Sequence, residues 1–497
     1  MRTPAVLTVL LLCACEDVPF DTAYPGGEPE VAVDVLVVGS GSAGLTAAVT
    51  AVDLGADVLV LEVAEEAGGS SDYGGFFFGA GTDLQAEMGV EDTPEDAIAG
   101  WEEITGAEPD DRVEAFIRDT ADTMRWIEAR SGVAFDALSG GEDLGATRSH
   151  AIGGGQIKEV FLDILGSDVR TGVLVESLVT ADGAVVGARA REVDSERLFW
   201  VRAGAVVMAT GGYARDRVRL DADRPALAGL TVLPEAAPVV LGLGHPVLEA
   251  VGAGWQNQGR YGLYVHGTPD VREGLEDESL LVGGLPFGLA VDTEAQRFLD
   301  ESAFGSLATA DRVLTRPGRR VFVLFGQERF STISAEPPRY TWSGDVPDTF
   351  STDDLVAAGQ AWRAASLPAL AGAMGLDASA LQATVDRYEA GIPKGDPDFH
   401  KQPLYLESLG DAGYGALEVH VVAAKAFTGV ATGDDAGVLD AGGAPIPGLY
   451  AAGEVTGMLG TPAVGRGFAG SMTAIHWLAR IAGEEAARYA GVGGTSR

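Results

Sequence analysis

A run of branched and aliphatic residues, Val31 to Val38, passes directly into Gly39-Ser40-Gly41-Ser42-Ala43-Gly44, and this junction restricts the fold more than any other part of the chain. Only Ala32, Asp34 and Leu36 interrupt the run, the pattern of a strand buried on both faces of a parallel sheet. Gly39 permits a tight turn, Gly41 lets backbone approach a pyrophosphate, and Gly44 lets the following helix pack closely on the strand. That helix, Ser42 to about Leu54, opens at Ser42 and Ala43 with its amides and positive dipole end toward the phosphates. A second strand, Asp57 to Leu61, ends at Glu62, where a carboxylate accepts hydrogen bonds from a ribose. Ala48 and Gly55 complete the spacing. Strand, glycines, helix, strand and acid together predict a dinucleotide site, with NAD and FAD both still open.

Three further segments favour FAD. Gly68-Gly69-Ser70-Ser71, followed by Gly74-Gly75, is poor in side chains and lets a flat ring system lie against backbone. The apolar strand Ala205 to Thr210, with Ala209 and Thr210 at its end, closes on Gly211-Gly212. Far downstream, Gly448 to Glu454 is another strand ending in glycine and acid, Gly453-Glu454, and its carboxylate suits a ribityl hydroxyl.

With 497 residues the chain exceeds one ordinary core, so two domains or one large insertion are expected. The 34 basic and 73 acidic residues leave a formal charge of −39. That charge argues against nucleic acid as a partner, and an anionic substrate needs a local basic device. Both cysteines, Cys13 and Cys15, lie in the first fifteen residues. The body therefore has no thiolate metal site, cysteine nucleophile or CxxCH haem attachment, and its six histidines show no metal-ligand spacing, so no metal site is expected. Arg2 and the short apolar run Ala5 to Leu12 read as a signal peptide over 1–15. The run ends in Leu12-Cys13-Ala14-Cys15, which looks like a bacterial lipobox with Cys15 lipidated, so an exported periplasmic or cell-envelope lipoprotein anchored in a membrane is expected, with plain small-residue signal cleavage as the alternative. Residues 16–30, with Pro19, Pro25, Gly26, Gly27 and Pro29, read as a flexible tether.

These segments resemble the flavoprotein family of soluble fumarate reductases, succinate dehydrogenase flavoprotein subunits and 3-ketosteroid Δ1-dehydrogenases. The matching pieces run from Asp34 to Glu62 through Arg148 to Gly155, Gly172 to Gly187 and Ala290 to Glu301 to Pro445 to Gly483. The resemblance implies an α/β fold: a Rossmann-like FAD-binding domain built from two separated segments, 31–261 and 408–497, with an inserted α+β cap domain over 262–407. Within the cap, Val321 to Phe325 reads as a strand, and Leu355 to Ala373 and Ala378 to Ala390 read as helices. The resemblance also implies that backbone at Val175 contacts adenine. Phe468 to Tyr489 reads as a long amphipathic helix. Its first turn, Gly470-Ser471-Met472, is placed to offer amides to the flavin's electron-rich edge.

Of the family's catalytic groups, the substrate-binding arginine falls on Arg466. The proton-donor arginine falls in Ser302-Ala303-Phe304-Gly305, one histidine near Ala424 and Lys425, and a threonine and glutamate pair at Leu280 and Leu281. The other histidine falls near Tyr264 and His266; Tyr264 is the candidate acid or base, with packing as its alternative. His150 and Arg297 read as structural. These departures suggest a pocket lined by Leu280, Leu281 and Phe304 for a small molecule larger and less charged than fumarate. The function expected is an FAD-dependent oxidoreductase that moves a hydride between flavin N5 and a carbon adjacent to a carbonyl, exchanging electrons with a separate donor or acceptor. A lipid-anchored flavin-binding electron carrier or interaction protein without catalysis is the alternative.

Overall fold

The computed structural model describes residues 21–25, 27–73, 76–105, 108–139, 147–152, 154–304, 307–338, 348–459 and 471–492. Two compact units emerge: Met1–Asp216, Val239–Arg260 and Ala426–Arg497 form one, and Arg217–Pro238 and Tyr261–Lys425 the other. The smaller unit thus takes in 217–238 and runs on to Lys425, wider than the 262–407 span read from sequence. One reason is that Val232–Pro234 pairs in parallel with Val421–Ala423, a partnership no local pattern announces.

The larger unit is a mixed α/β structure on an eight-stranded sheet. Val31–Val38 lies in parallel between Val58–Leu61 and Leu198–Met208, with Val38 opposite both Leu61 and Met208. Pro445–Ala451 joins the far side of Leu198–Met208, also in parallel. Val35, Leu36 and Val37 are wholly buried, as a central strand covered on both faces requires. The helix Ser42–Asp53 packs against the C-terminal helix Ser471–Tyr489. At their contact a Cβ on Gly483 would collide with the Ala47 carbonyl. An antiparallel meander, Val173–Ala181 and Ala184–Glu192, continues the sheet from the early part of Leu198–Met208.

Residues 21–25 and 27–30, expected to be part of a flexible tether, are docked on this meander. The Asp21 carbonyl accepts bonds from Ser177 Oγ and Arg189 Nε, and the Thr22 carbonyl from the Thr180 amide. Tyr24 sets its ring edge against Trp200, whose indole donates to the Glu28 carbonyl. Composition predicted a solvated chain, but the exposed edge of the meander supplies partners for its backbone.

The smaller unit is built on a nine-stranded sheet whose longest strand, Tyr414–Ala426, neighbours Val321–Gly326 and Tyr261–Pro269. The expected helix over Leu355 to Ala373 is broken: Thr352–Ala357 is helical, Ala361–Ala364 is a strand paired with Tyr414–Leu417, and Leu367–Met374 is a new helix. Gly359, at φ +77°, stops the first helix, and Ser366 caps the last by accepting from the Ala369 amide. The helix Ala378–Gly391 forms as read.

Candidate functional site

The residues picked out from the glycine junction come together at the carboxyl ends of the parallel strands. Gly39 has φ +103°, and a Cβ there would lie 2.5 Å from the Ala209 carbonyl oxygen. A Cβ on Gly44 would collide with the Gly39 carbonyl. Strand end, turn and helix thus meet through bare backbone. Gly453 approaches Ala43, where a Cβ would stand 2.8 Å from the alanine methyl. Gly212 lies against the Glu454 side chain, whose Oε1 accepts from the Ala426 amide at 2.8 Å. Gly211 has φ +72° and follows Thr210.

Glu62 is buried and has three donors. The Ser40 amide and hydroxyl each reach Oε2 at 2.8 Å, and the Ala64 amide reaches Oε1 at 2.9 Å. Carboxylate oxygens have about four lone-pair sites in all, so capacity for a further donor remains. The Ser40 hydroxyl also accepts from the Gly68 amide at 2.9 Å, tying the second glycine segment to the first. Ser70 and Ser71 open a short turn, Ser70–Tyr73, and the Ser71 hydroxyl accepts from the Ser42 amide at 3.1 Å. A Cβ on Gly69 would lie 3.4 Å from Gly41 Cα.

The loop is held by a pair that the sequence reading missed. Lys158, on the helix Gly154–Leu165, reaches Asp72 at 2.9 Å, and Asp72 Oδ2 also accepts from the Gly69 amide at 3.4 Å. The two residues stand 86 positions apart, so no spacing could have flagged them.

Val175 lies in the meander opposite Ala190, two residues beyond Val173, whose amide donates to the Glu62 carbonyl. Ser471 begins the C-terminal helix. Gly75, Gly470, Arg466 and Cys15 lie outside the described residues. Deeper in the larger unit, Thr46 Oγ1 meets His476 Nδ1 at 2.7 Å, and burial, then Arg480, pushes the His476 pKa down to about 3, so its ring is neutral. His150 is also buried, with Thr82 Oγ1 at 2.7 Å from Nε2 and the Arg148 carbonyl at 3.0 Å from Nδ1.

These features test whether the residues suit a flavin dinucleotide. Helix Ser42–Asp53 has no side-chain cap at Gly41 and no acid in its first turn, which leaves its positive end to an anion. Side-chain-free backbone lines the junction, and a buried acid with spare lone pairs ends the second strand. Thr210 Oγ1 is buried and finds no hydrogen-bond partner among the described residues, a cost a bound polar group would relieve. The residues fit FAD.

In the smaller unit, Tyr264 and His266 lie two apart on strand Tyr261–Pro269, rings stacked at 5.5 Å. His266 Nε2 lies 3.1 Å from Glu235 Oε2. Arg297 is structural: it bonds Glu301 and Asp396, and its guanidinium lies over Tyr388 and Phe399. Of the three residues expected to line a pocket, Leu280 and Phe304 are wholly buried and serve as core, leaving Leu281 half-buried. Their neighbours in sequence did not reveal which faces the interior takes.

The family described as FAD binding domain matches residues 34–468. A fumarate reductase (cytochrome) of Shewanella frigidimarina is 30% identical over 477 residues, covering 93% of this chain and 78% of that one. A 4-oxocyclohexanecarboxylate 2-dehydrogenase of Sinomonas cyclohexanicum is 29% identical, covering 94% and 95%. Among solved structures, a 3-ketosteroid-Δ4-(5α)-dehydrogenase of Rhodococcus jostii RHA1 superposes with a TM-score of 0.74 at 25% identity, covering 95% of this chain and 100% of that one. The chain belongs to the FAD binding domain family and is an FAD-dependent oxidoreductase.

Proposed function

We propose that this oxidoreductase reduces or forms a C=C bond beside a carbonyl, on a small-molecule substrate other than fumarate. When bound, FAD supplies hydride exchange with the substrate carbon at flavin N5. The observation that carries the reading is the convergence of Gly39, Gly44, Glu62, Thr210 and Glu454 on one cradle, described above. In this reading Gly39, Gly41, Ser42, Ala43 and Gly44 hold the pyrophosphate, Glu62 the adenosine ribose and Val175 the adenine. The flavin end takes Gly69, Ser70, Ser71, Gly75, Thr210, Gly211, Glu454, Gly470 and Ser471. Arg466 grips the substrate, and Tyr264 gives or takes a proton at its oxygen.

A substrate other than fumarate is supported by the half-buried Leu281 standing where the resemblance implies a polar residue, and by Ser302 and Ala303 near the implied proton donor. The relatives' names range from fumarate to 4-oxocyclohexanecarboxylate and urocanate, so the family accommodates quite different bodies around the reacting bond. Electrons are exchanged with a separate donor or acceptor. The architecture we infer is an FAD-binding domain with a cap formed by the smaller unit. The test is anaerobic: the photoreduced protein is mixed with fumarate, cyclic enones, enoates and steroids. Rapid reoxidation by one of the larger compounds is expected. None across the panel would leave a flavin-binding electron carrier, and tight fumarate turnover would remove the substrate reading.

We also infer export and lipidation at Cys15. The docked segment begins at Asp21, and five intervening residues span at most about 18 Å, which would keep the body close to the bilayer. Labelling with radioactive palmitate should mark the wild type and not Cys15→Ala; equal labelling would remove the anchor.

A further inference from the structure

The chain has only four lysines, Lys158, Lys394, Lys401 and Lys425. Lys158 faces Asp72, and Lys401 is buried beside Glu301. Lys425 is different. It sits half-buried near the end of strand Tyr414–Ala426, and among the described residues its amine has neither an acid nor a hydrogen-bond partner. In a chain with more than two acids for every base, a half-buried cation with no anion beside it is unusual.

Its surroundings are built for it. Strand Tyr261–Pro269 runs alongside, and Gly262 stands where the lysine stem crosses: a Cβ there would lie 2.7 Å from Lys425 Cγ. Alternate residues of a strand share a face, so Gly262, Tyr264 and His266 lie on the face that the lysine stem crosses. Tyr264 is half-buried, and its hydroxyl has no hydrogen-bond partner among the described residues. Its ring stacks on His266, which Glu235 holds by a 3.1 Å contact. The Tyr264 ring is thus fixed while its oxygen stays available.

We propose that this face of the smaller unit is a ligand-binding surface, and that Lys425 and Tyr264 together take one oxygen of a ring-bearing unsaturated compound. The ammonium supplies a local basic device for an anion in a strongly acidic chain, in addition to the one proposed at Arg466, and the phenol donates a hydrogen bond to the same oxygen. The stacked Tyr264 and His266 rings offer a flat apolar edge to the body of the ligand. That oxygen belongs to a carboxylate, or to a conjugated ketone that gathers negative charge as it reacts. The inference deepens the proposed function, since it rests on a substrate with an oxygen conjugated to the reacting bond.

The test reads binding without turnover, by calorimetric titration of the oxidised holoprotein with cyclohex-1-ene-1-carboxylate and, separately, cyclohex-2-en-1-one. Lys425→Met should weaken carboxylate binding roughly tenfold or more, while Lys425→Arg should stay within about threefold. Tyr264→Phe should weaken both probes roughly fivefold. Gly262→Ala changes no polar group and displaces the lysine stem, so it should reproduce most of the Lys425→Met loss even if that variant folds poorly. A Lys425-dependent loss for the carboxylate alone assigns the ligand oxygen to an acid; an equal loss for the ketone assigns it to a carbonyl. Unchanged carboxylate affinity in Lys425→Met, or no binding of either probe to the wild type, would overturn the proposal. Lys425-dependent binding without any C=C chemistry would sink the reaction assigned above and leave this surface standing.

Discussion

The cradle of the larger unit and the interior of the smaller one solve opposite problems. Around Gly39 and Gly44 the chain removes side chains, so that backbone meets backbone and a large ligand can enter. In the smaller unit it buries charge. Arg297 joins Glu301 and Asp396, and the Lys401 amine donates to the Gly288 carbonyl at 2.6 Å with Glu301 at 3.7 Å. Burial works against each charge, but the Arg297 contacts outweigh it and hold the Asp396 carboxyl down at about 2. One region depends on what is absent at a few positions, the other on complete pairing of what is present, and substitutions should expose that contrast.

The largest effect is expected at Gly44. Its Cβ would strike a backbone carbonyl, which cannot rotate away, so Gly44→Val should cost roughly 3 kcal/mol or more. The purified protein should carry almost no flavin; a normal ratio of flavin absorbance to protein would show that the close approach is dispensable.

Arg297→Met attacks the other region. It leaves Glu301 and Asp396 buried without their partner, a situation that costs about 3–5 kcal/mol. Urea unfolding should register the loss, and folded protein should keep its flavin. A stability change below about 1 kcal/mol would mean that the network is not paired as described.

Lys401 gives the contrast a pH dependence. Burial pushes its pKa down from 10.5 to about 8. Between those values the unfolded chain binds more protons than the folded one, so this group's contribution to stability rises with pH across the window. The advantage of the wild type over Lys401→Met should therefore grow from about pH 8 to 10.5, by on the order of 2 kcal/mol. An advantage that is flat or shrinks would contradict the burial of the charged amine.

The smallest effect belongs to Lys158. Its pair with Asp72 is partly exposed, and such pairs are worth about 1 kcal/mol or less. Lys158→Met should weaken FAD binding roughly threefold in a fluorescence titration of the apoprotein, without changing the melting temperature appreciably. Unchanged affinity would detach the ion pair from the cradle.

Most of the cradle was readable because its parts are local. Val31–Val38, the three glycines, helix Ser42–Asp53 and Glu62 lie within 32 positions and carry their geometry in residue type. The smaller unit was less readable. Leu355 to Ala373 looked like one helix, since apolar spacing cannot show that Ala361–Ala364 finds an open position beside Tyr414–Leu417. Leu280 and Phe304 looked like pocket lining, but only packing reveals that both point into the core. Composition likewise predicted a loose segment over 16–30, while residues 21–25 and 27–30 lie docked on the meander edge through carbonyls that any sequence would possess.

The sequence by itself determined the dinucleotide junction, because glycine is the one residue whose identity states both a backbone angle and a distance of approach. It also determined the acidic balance of the chain and the placement of both cysteines ahead of the body. Only the tertiary structure decided which charges meet. Arg297 and Asp396 are 99 positions apart, Lys158 and Asp72 are 86, and Lys425 reaches Gly262 across paired strands. A charged side chain carries no record of its partner, and the partner is set by chain crossings that many unrelated contacts fix together.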